Sequence, residues 1–174
     1  HAGKKNLIIT AGGKNVAPAN IELLLTRESI ISQVVVVGDR RRFLSALITL
    51  SIDELNHLQK TEAFAGMDHP EIRTSNAIRQ RIHGAVEPAN AQLARYENIR
   101  MYHILDSEFS IESGEMTPTM KLKRKVIEQN HAAIIAGFSE EGVADGAAGA
   151  TPRVPAKIVT KVVSSPCPEP PAMQ

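Results

Sequence analysis

Ile31-Ser32-Gln33-Val34-Val35-Val36-Val37, then Gly38-Asp39-Arg40-Arg41-Arg42, then Phe43-Leu44-Ser45-Ala46-Leu47-Ile48-Thr49-Leu50: two β-rich runs flank a short polar connection. In the second run Phe43 and Leu47 are apolar at one set of alternate positions, and Leu44, Ala46, Ile48 and Leu50 at the other. Successive side chains of a strand point to opposite faces, so a strand apolar on both faces has to be covered on both. Strands at 31–37 and 43–50, joined by the Gly38–Arg42 turn and lying between helical layers, follow from that pattern.

Working outward toward the N-terminus, Leu7-Ile8-Ile9-Thr10 is a short β-rich run, and Ala11-Gly12-Gly13-Lys14-Asn15 is a glycine turn leading into Val16. Together they predict a short hairpin. Pro18 opens a helix over 18–27, with Leu23 to Leu25 on its apolar side. Toward the C-terminus, Ser51-Ile52-Asp53-Glu54 has the form of a capping box for a short helix ending near Lys60. Ile78, Ile82, Val86, Ala89 and Leu93 recur at helical spacing over 71–95, where Pro88 should kink or divide the helix. Residues 99–105 supply a third strand. Glu112-Ser113-Gly114-Glu115 is a turn, and a last helix is expected over 121–138 with Leu122, Val126, Asn130, Ile134 and Phe138 on one stripe. The predicted class is therefore α+β: a small three-stranded sheet with helices on both faces, plus an N-terminal hairpin. Residues 1–139 form the folded domain. Residues 140–174, rich in Gly, Ala, Pro and Ser and without periodicity, are expected to be a disordered tail.

Composition narrows the function classes. The formal net charge is +1, which gives no general pull toward nucleic acid or acidic lipid. Trp is absent and aromatic residues are few, so stacking platforms for single strands are missing. The single cysteine, Cys167, cannot form an internal disulfide, and a cytoplasmic setting is expected. No apolar run approaches the ~18 residues of a membrane span. The six histidines show no metal-ligand spacing, so no metal site is expected within the chain.

Two stretches then carry a resemblance. Gly3-Lys4-Lys5-Asn6-Leu7-Ile8-Ile9-Thr10-Ala11-Gly12-Gly13-Lys14-Asn15-Val16-Ala17-Pro18-Ala19-Asn20-Ile21-Glu22 resembles the motif that opens the C-terminal domain of adenylate-forming ligases. Glu115-Met116-Thr117-Pro118-Thr119-Met120-Lys121-Leu122-Lys123-Arg124 resembles their closing motif, in the form typical of the long-chain fatty acyl branch that includes the bubblegum-type synthetases. Met120 stands where many relatives carry glycine. The resemblance covers roughly residues 3–138, and the chain is expected to begin mid-protein.

The resemblance implies a lid hinged to a large N-terminal adenylation domain that binds ATP, Mg2+ and fatty acid, with coenzyme A as the second acceptor. One lid orientation presents Lys121 for adenylation. The other presents the Gly12, Gly13 and Lys14 turn to coenzyme A, and Lys5 is the hinge. Arg124, Arg40, Arg41 and Arg42 are candidates for phosphate contact. The implied whole is an AMP-forming long-chain fatty acid–CoA ligase, cytoplasmic or peripheral to a membrane. The chain holds no Gly/Ser/Thr-rich phosphate loop, so alone it is expected to be inactive. The arginine that relatives carry just before the hinge is absent, because the chain reads Ala2-Gly3 there.

Each residue also has a plainer reading. Lys121, Lys123, Arg124 and Lys125 can be a solvated basic start to a helix, although cations there oppose the dipole at about 0.3–1 kcal/mol each. The glycine turn can be an ordinary hairpin turn, Lys5 a plain surface lysine, and the arginines a hairpin tip that guards a sheet edge. On a helix, Lys123 would point away from Lys121. Two other functions stay open at this point: a stand-alone lid acting as a protein-interaction module, and the lid of another acyl- or aryl-CoA ligase branch.

Overall fold

The computed structural model describes residues 7–138 of the 174-residue chain. In chain order its elements are β1 (Ile8–Ile9), β2 (Asn15–Val16), α1 (Pro18–Leu25), β3 (Ile31–Val37), β4 (Leu44–Leu50), α2 (Ile52–Gln59), α3 (His69–Arg73), α4 (Asn76–Ala91), β5 (Ile99–Ile104), α5 (Arg124–Asn130) and α6 (Ala132–Ala136). β1 and β2 pair as a hairpin, and the main sheet runs in the order β3-β4-β5. β3 and β4 are antiparallel, while β4 and β5 are parallel. Parallel neighbours need a long crossover, and α2, α3 and α4 lie in it. The class is α+β, as expected.

Every residue of β4 is buried, which is the consequence of its double apolar pattern. On one face Leu44, Ala46 and Ile48 join Val34, Val36 and Tyr102 and meet Ile21 and Leu25 of α1 and Ile78, Ile82 and Val86 of α4. On the other, Leu47 joins Val35, Val37 and Met101 and meets Phe109, Met116, Ile127, Ile135 and Phe138, with Phe43 packed alongside. A sheet sandwiched in this way buries apolar area on both sides, at roughly 25 cal/mol per Å² removed from water.

Several expected elements come out differently. The first helix stops at Leu25, and Leu23 is 65% exposed while Ile21 and Leu25 are buried. The 3.6-residue period puts positions four apart on one stripe and the position between them on the other side. The helix expected over 71–95 is divided, but at Thr74 and Ser75 rather than at Pro88. Ser75 caps α4 by accepting the Ile78 N–H at 3.4 Å. Pro88 lies near the C-terminal end of α4, where its ring is exposed. The helix expected over 121–138 starts only at Arg124 and divides at His131. Its buried positions are Ile127, Ile135 and Phe138, and Asn130 of the expected stripe is exposed. The cap expected at Ser51 is present, accepting the Glu54 N–H at 3.4 Å. Lys5, Cys167 and the expected tail 140–174 lie outside the described residues.

Two side-chain amides act as substitute strand partners. Gln33 accepts the Phe109 N–H at 2.7 Å and donates to the Phe109 carbonyl at 3.3 Å, holding the segment after β5 to the sheet edge. Asn90, 5% exposed, accepts the Ile99 N–H at 2.8 Å and donates to the Ile99 carbonyl at 3.0 Å. Asn90 therefore sets where β5 begins. Asn90→Ala is expected to cost about 1–3 kcal/mol of stability, because it strips partners from buried backbone groups. Chemical denaturation of the folded domain measures it, and a change under a few tenths of a kcal/mol would remove that role from Asn90.

Candidate functional site

Lys121 stands on the turn of a small hairpin, not on a helix. Met116 and Leu122 form an antiparallel bridge. Between them the Met120 N–H donates to the Thr117 carbonyl at 2.8 Å, closing a β-turn through Pro118 and Thr119. Both backbone groups of Lys121 are bonded to Thr117: its N–H donates to Thr117 Oγ1 at 3.0 Å, and its carbonyl accepts the Thr117 N–H at 2.8 Å. The Thr117 and Thr119 hydroxyls are 2.9 Å apart. Met120 has φ +65°, the left-handed region in which glycine is at ease, and its side chain is 67% exposed. A non-glycine residue there carries strain of roughly 1–3 kcal/mol. The Lys121 side chain is exposed, and no described residue is paired with its ammonium. For Lys121 the dipole conflict expected of a helical start does not arise, since α5 begins three residues later with Arg124 and Lys125 in its first turn.

The foot of this hairpin is built into the domain. The Lys123 N–H donates to the Glu115 carbonyl at 2.7 Å. The Glu115 carboxylate, on a residue 6% exposed, accepts from Ser113 Oγ at 2.7 Å and meets His131 Nε2 at 2.8 Å. The His131 ring packs edge-on against Phe109, 6.0 Å between centroids. The break between α5 and α6 falls at the residue that reaches Glu115. Burial raises the Glu128 pKa above the usual carboxylate range; the Arg124 charge opposes this, Asp39 adds to it and Lys125 opposes it.

Arg124 is held from two sides. Its Nη2 lies 2.7 and 3.1 Å from the two oxygens of Glu22, and its Nη1 donates to the Val36 carbonyl at 2.9 Å. The Val36 N–H in turn donates to Glu22 Oε2 at 3.3 Å. The pair thus satisfies the outward-facing backbone groups of an edge strand. Arg41 is likewise committed: its Nη1 donates to the carbonyls of Ile135 and Phe138 at 3.2 and 3.1 Å, at the end of α6. These two arginines, candidates for phosphate contact in the sequence, spend their guanidinium groups inside the fold.

The glycine turn and the arginine turn lie together. The Ile9 N–H donates to Asp39 Oδ1 at 3.2 Å, the Arg40 N–H to the Ile9 carbonyl at 2.7 Å, and the Ala11 N–H to the Arg41 carbonyl at 2.9 Å. Thr10 closes the turn from within, its Oγ1 accepting the Lys14 N–H at 3.1 Å. Gly13 has φ +79°, so the turn itself asks for glycine there. Gly12 differs: an added Cβ would meet only Thr10 Oγ1, at 4.0 Å, and nothing in the domain requires its absence. Both glycines are exposed, and Lys14 Nζ lies 5.8 Å from the centre of the Tyr96 ring. Arg40 and Arg42 are exposed at the neighbouring turn.

Residues 5–141 match the family profile described as the AMP-binding enzyme C-terminal domain. The chain belongs to that family. Among relatives of this AMP-binding C-terminal domain are the long-chain-fatty-acid–CoA ligase FadD15 of Mycobacterium tuberculosis, 42% identical over 133 residues, and the long-chain-fatty-acid–CoA ligase ACSBG1 of Rattus norvegicus, 37% identical over 155 residues. The matches cover 76% and 79% of this chain but only 22% of each relative. The domain thus spans about a fifth of the curated relatives it matches. A solved adenylation domain of a carboxylate reductase from Mycobacterium chelonae superposes with a TM-score of 0.60 at 23% identity, covering 76% of this chain and 19% of that one; the likeness is one of fold.

Among the described residues no helix is long and apolar enough to cross a membrane. Nor is any group of three or more His, Cys, Asp or Glu side chains there placed to hold a metal ion. The tertiary structure adds three features that linear spacing did not show: the grip of Thr117 on Lys121, the Glu115–His131 brace, and the Glu22–Arg124 pair. Glu22 and Arg124 each close one of the two quoted motifs, but 102 residues separate them and no periodicity links them.

Proposed function

We propose that this chain is the C-terminal lid of an AMP-forming long-chain fatty acid–CoA ligase, working with an adenylation domain that holds ATP, Mg2+ and the fatty acid. The observation that carries this reading is Lys121: its backbone is fastened at both polar groups, and its ammonium stands exposed without a described partner. In the first half-reaction a carboxylate oxygen attacks the α-phosphorus of ATP, and the bond to the bridging oxygen breaks to release pyrophosphate. Negative charge grows on the phosphate and leaving oxygens. A cation delivered there from a fixed backbone stabilises that charge. In the second half-reaction the lid turns at Lys5 and brings the Gly12, Gly13 and Lys14 turn to coenzyme A. The thiolate of coenzyme A then attacks the acyl carbonyl and AMP leaves. Gly12, where an added Cβ would meet only Thr10 Oγ1 at 4.0 Å, lets backbone approach a thin ligand closely. Arg40 and Arg42 on the adjoining turn are suited to a phosphate of the same ligand.

The test compares the 174-residue chain with the chain joined to its adenylation domain. With fatty acid and ATP the joined protein is expected to release pyrophosphate, and the isolated chain none. Acyl-adenylate formation by the isolated chain would overturn the lid reading.

A further inference from the structure

We propose that Glu22 and Arg124 form a positioning clamp that holds the Lys121 hairpin on the sheet, and that Arg124 does not itself bind phosphate. The proposal rests on the reading of Lys121 as the adenylation lysine. Arg124 is the first residue of α5 and lies three positions after Lys121. Between them stand only Leu122, bridged to Met116, and Lys123, bonded to the Glu115 carbonyl. Both are fixed by the hairpin, so the segment has no slack to absorb a shift at Arg124.

The clamp has the geometry of a fitted joint. A planar guanidinium meets both oxygens of one carboxylate, at 2.7 and 3.1 Å, and the two side chains also take the carbonyl and the N–H of the same residue, Val36. The side chains are only 20% and 14% exposed. Nη2 is directed at the carboxylate and Nη1 at the Val36 carbonyl, and two differently aimed charge-assisted bonds fix direction as well as distance. Its Nη1 and Nη2 are taken by Val36 and Glu22 and its Nε is buried, so Arg124 has little left to offer a ligand. The glycine turn is anchored elsewhere, through Ile9 and Ala11 to the Asp39–Arg41 turn. Loosening the clamp therefore acts on the Lys121 side of the lid and spares the coenzyme A side.

The test uses the joined ligase with Glu22→Gln, Glu22→Asp, Arg124→Lys and the Glu22→Gln/Arg124→Lys double variant, beside Lys121→Ala. Adenylation is followed by pyrophosphate release at saturating ATP, and thioester formation from supplied acyl-adenylate and coenzyme A. Thermal denaturation confirms that each variant is folded at the assay temperature. Glu22→Gln and Arg124→Lys are each expected to lower the adenylation rate by on the order of 10–100-fold, the scale set by small misplacements of a catalytic group. KM for ATP should change little and thioester formation should stay within about twofold, as uniform binding is not what the clamp provides. The double variant should be no worse than the poorer single one, because both changes break one interaction. Glu22→Asp keeps the charge on a shorter arm and should lose less than Glu22→Gln. If the Glu22 variants adenylate normally while Arg124→Lys raises KM for ATP, Arg124 touches phosphate directly and the clamp is wrong. Equal losses in the two half-reactions would leave only a structural role and also overturn it. A normal adenylation rate in Lys121→Ala would overturn the lysine assignment and the clamp together, whereas a crippled Lys121→Ala beside unaffected Glu22 variants overturns the clamp alone.

Discussion

Lys121→Ala in the joined ligase is expected to lower the adenylation half-reaction by on the order of 10²–10³-fold, about 3–4 kcal/mol, the usual cost of removing one preorganised charge-stabilising donor. The size follows from how the residue is held. Thr117 takes both backbone groups of Lys121, and the strained φ of +65° at Met120 sets the direction in which the chain leaves the turn. The backbone that carries the ammonium thus needs little ordering at the moment of reaction, and loss of the ammonium leaves the developing phosphate charge without a counter-ion. Thioester formation from supplied acyl-adenylate should be nearly unchanged, since the proposed function gives that step to the glycine-turn side. The control is Lys123→Ala. A helical register would have separated the two lysines, but they lie in the extended stretch before α5, where alternate residues share a side. Lys123 is at the foot of the hairpin, its N–H tied to the Glu115 carbonyl, and its side chain is expected to matter less than tenfold in rate, well inside the effect at the tip. Pyrophosphate release and thioester formation, measured separately, decide it. Equal losses in both half-reactions, or a greater loss at Lys123 than at Lys121, would reassign the lysine.

Leu47→Ala is expected to remove about 2–5 kcal/mol of folding stability, the range for a fully buried leucine whose surroundings cannot collapse. Leu47 lies at the middle of the central strand with 0% of its surface exposed, packed among Val35, Val37, Met101 and Phe138. It has strands on both sides and helix above, so neighbouring atoms have no free direction in which to fill the void. Stabilities of small domains run to only about 5–15 kcal/mol, so this single change consumes a large share. Leu23→Ala, at a side chain 65% exposed, should change stability by less than about half a kcal/mol. Chemical denaturation of both variants gives the comparison; a loss at Leu47 no larger than at Leu23 would mean that the second face of the sheet is not a packed core.

The identity of the strands, the presence of helix on both faces and the two motifs could be read from residue order alone. The reason is that these depend on short-range periodicity. Leu44, Ala46, Ile48 and Leu50 alternate with Phe43 and Leu47, and no neighbouring element is needed to see that both faces of that strand must be buried. Gly12-Gly13 and Thr117-Pro118-Thr119-Met120-Lys121 were equally visible, because turn chemistry is local. What periodicity could not give was the local structure of Lys121 itself. Residues 121–138 have the composition of one helix, and bonds to residues outside it keep the first three out: Thr117 closes on Lys121, Glu115 takes the Lys123 N–H, and Glu22, 102 residues away, draws Arg124 to the sheet edge. At Ser75 a local cap starts α4 just ahead of the apolar repeat that opens at Ile78, whereas Arg41 and Arg124 look like free cations in the sequence. Their partners are the Ile135 and Phe138 carbonyls, Glu22 and Val36, between 88 and 102 residues away. A charge spends itself on whichever opposite group the fold brings within about 3 Å. Residue order told which cations the domain carries; the packing of α1, α5 and α6 on the sheet decided which of them hold the domain together and left Lys121 exposed beside its turn.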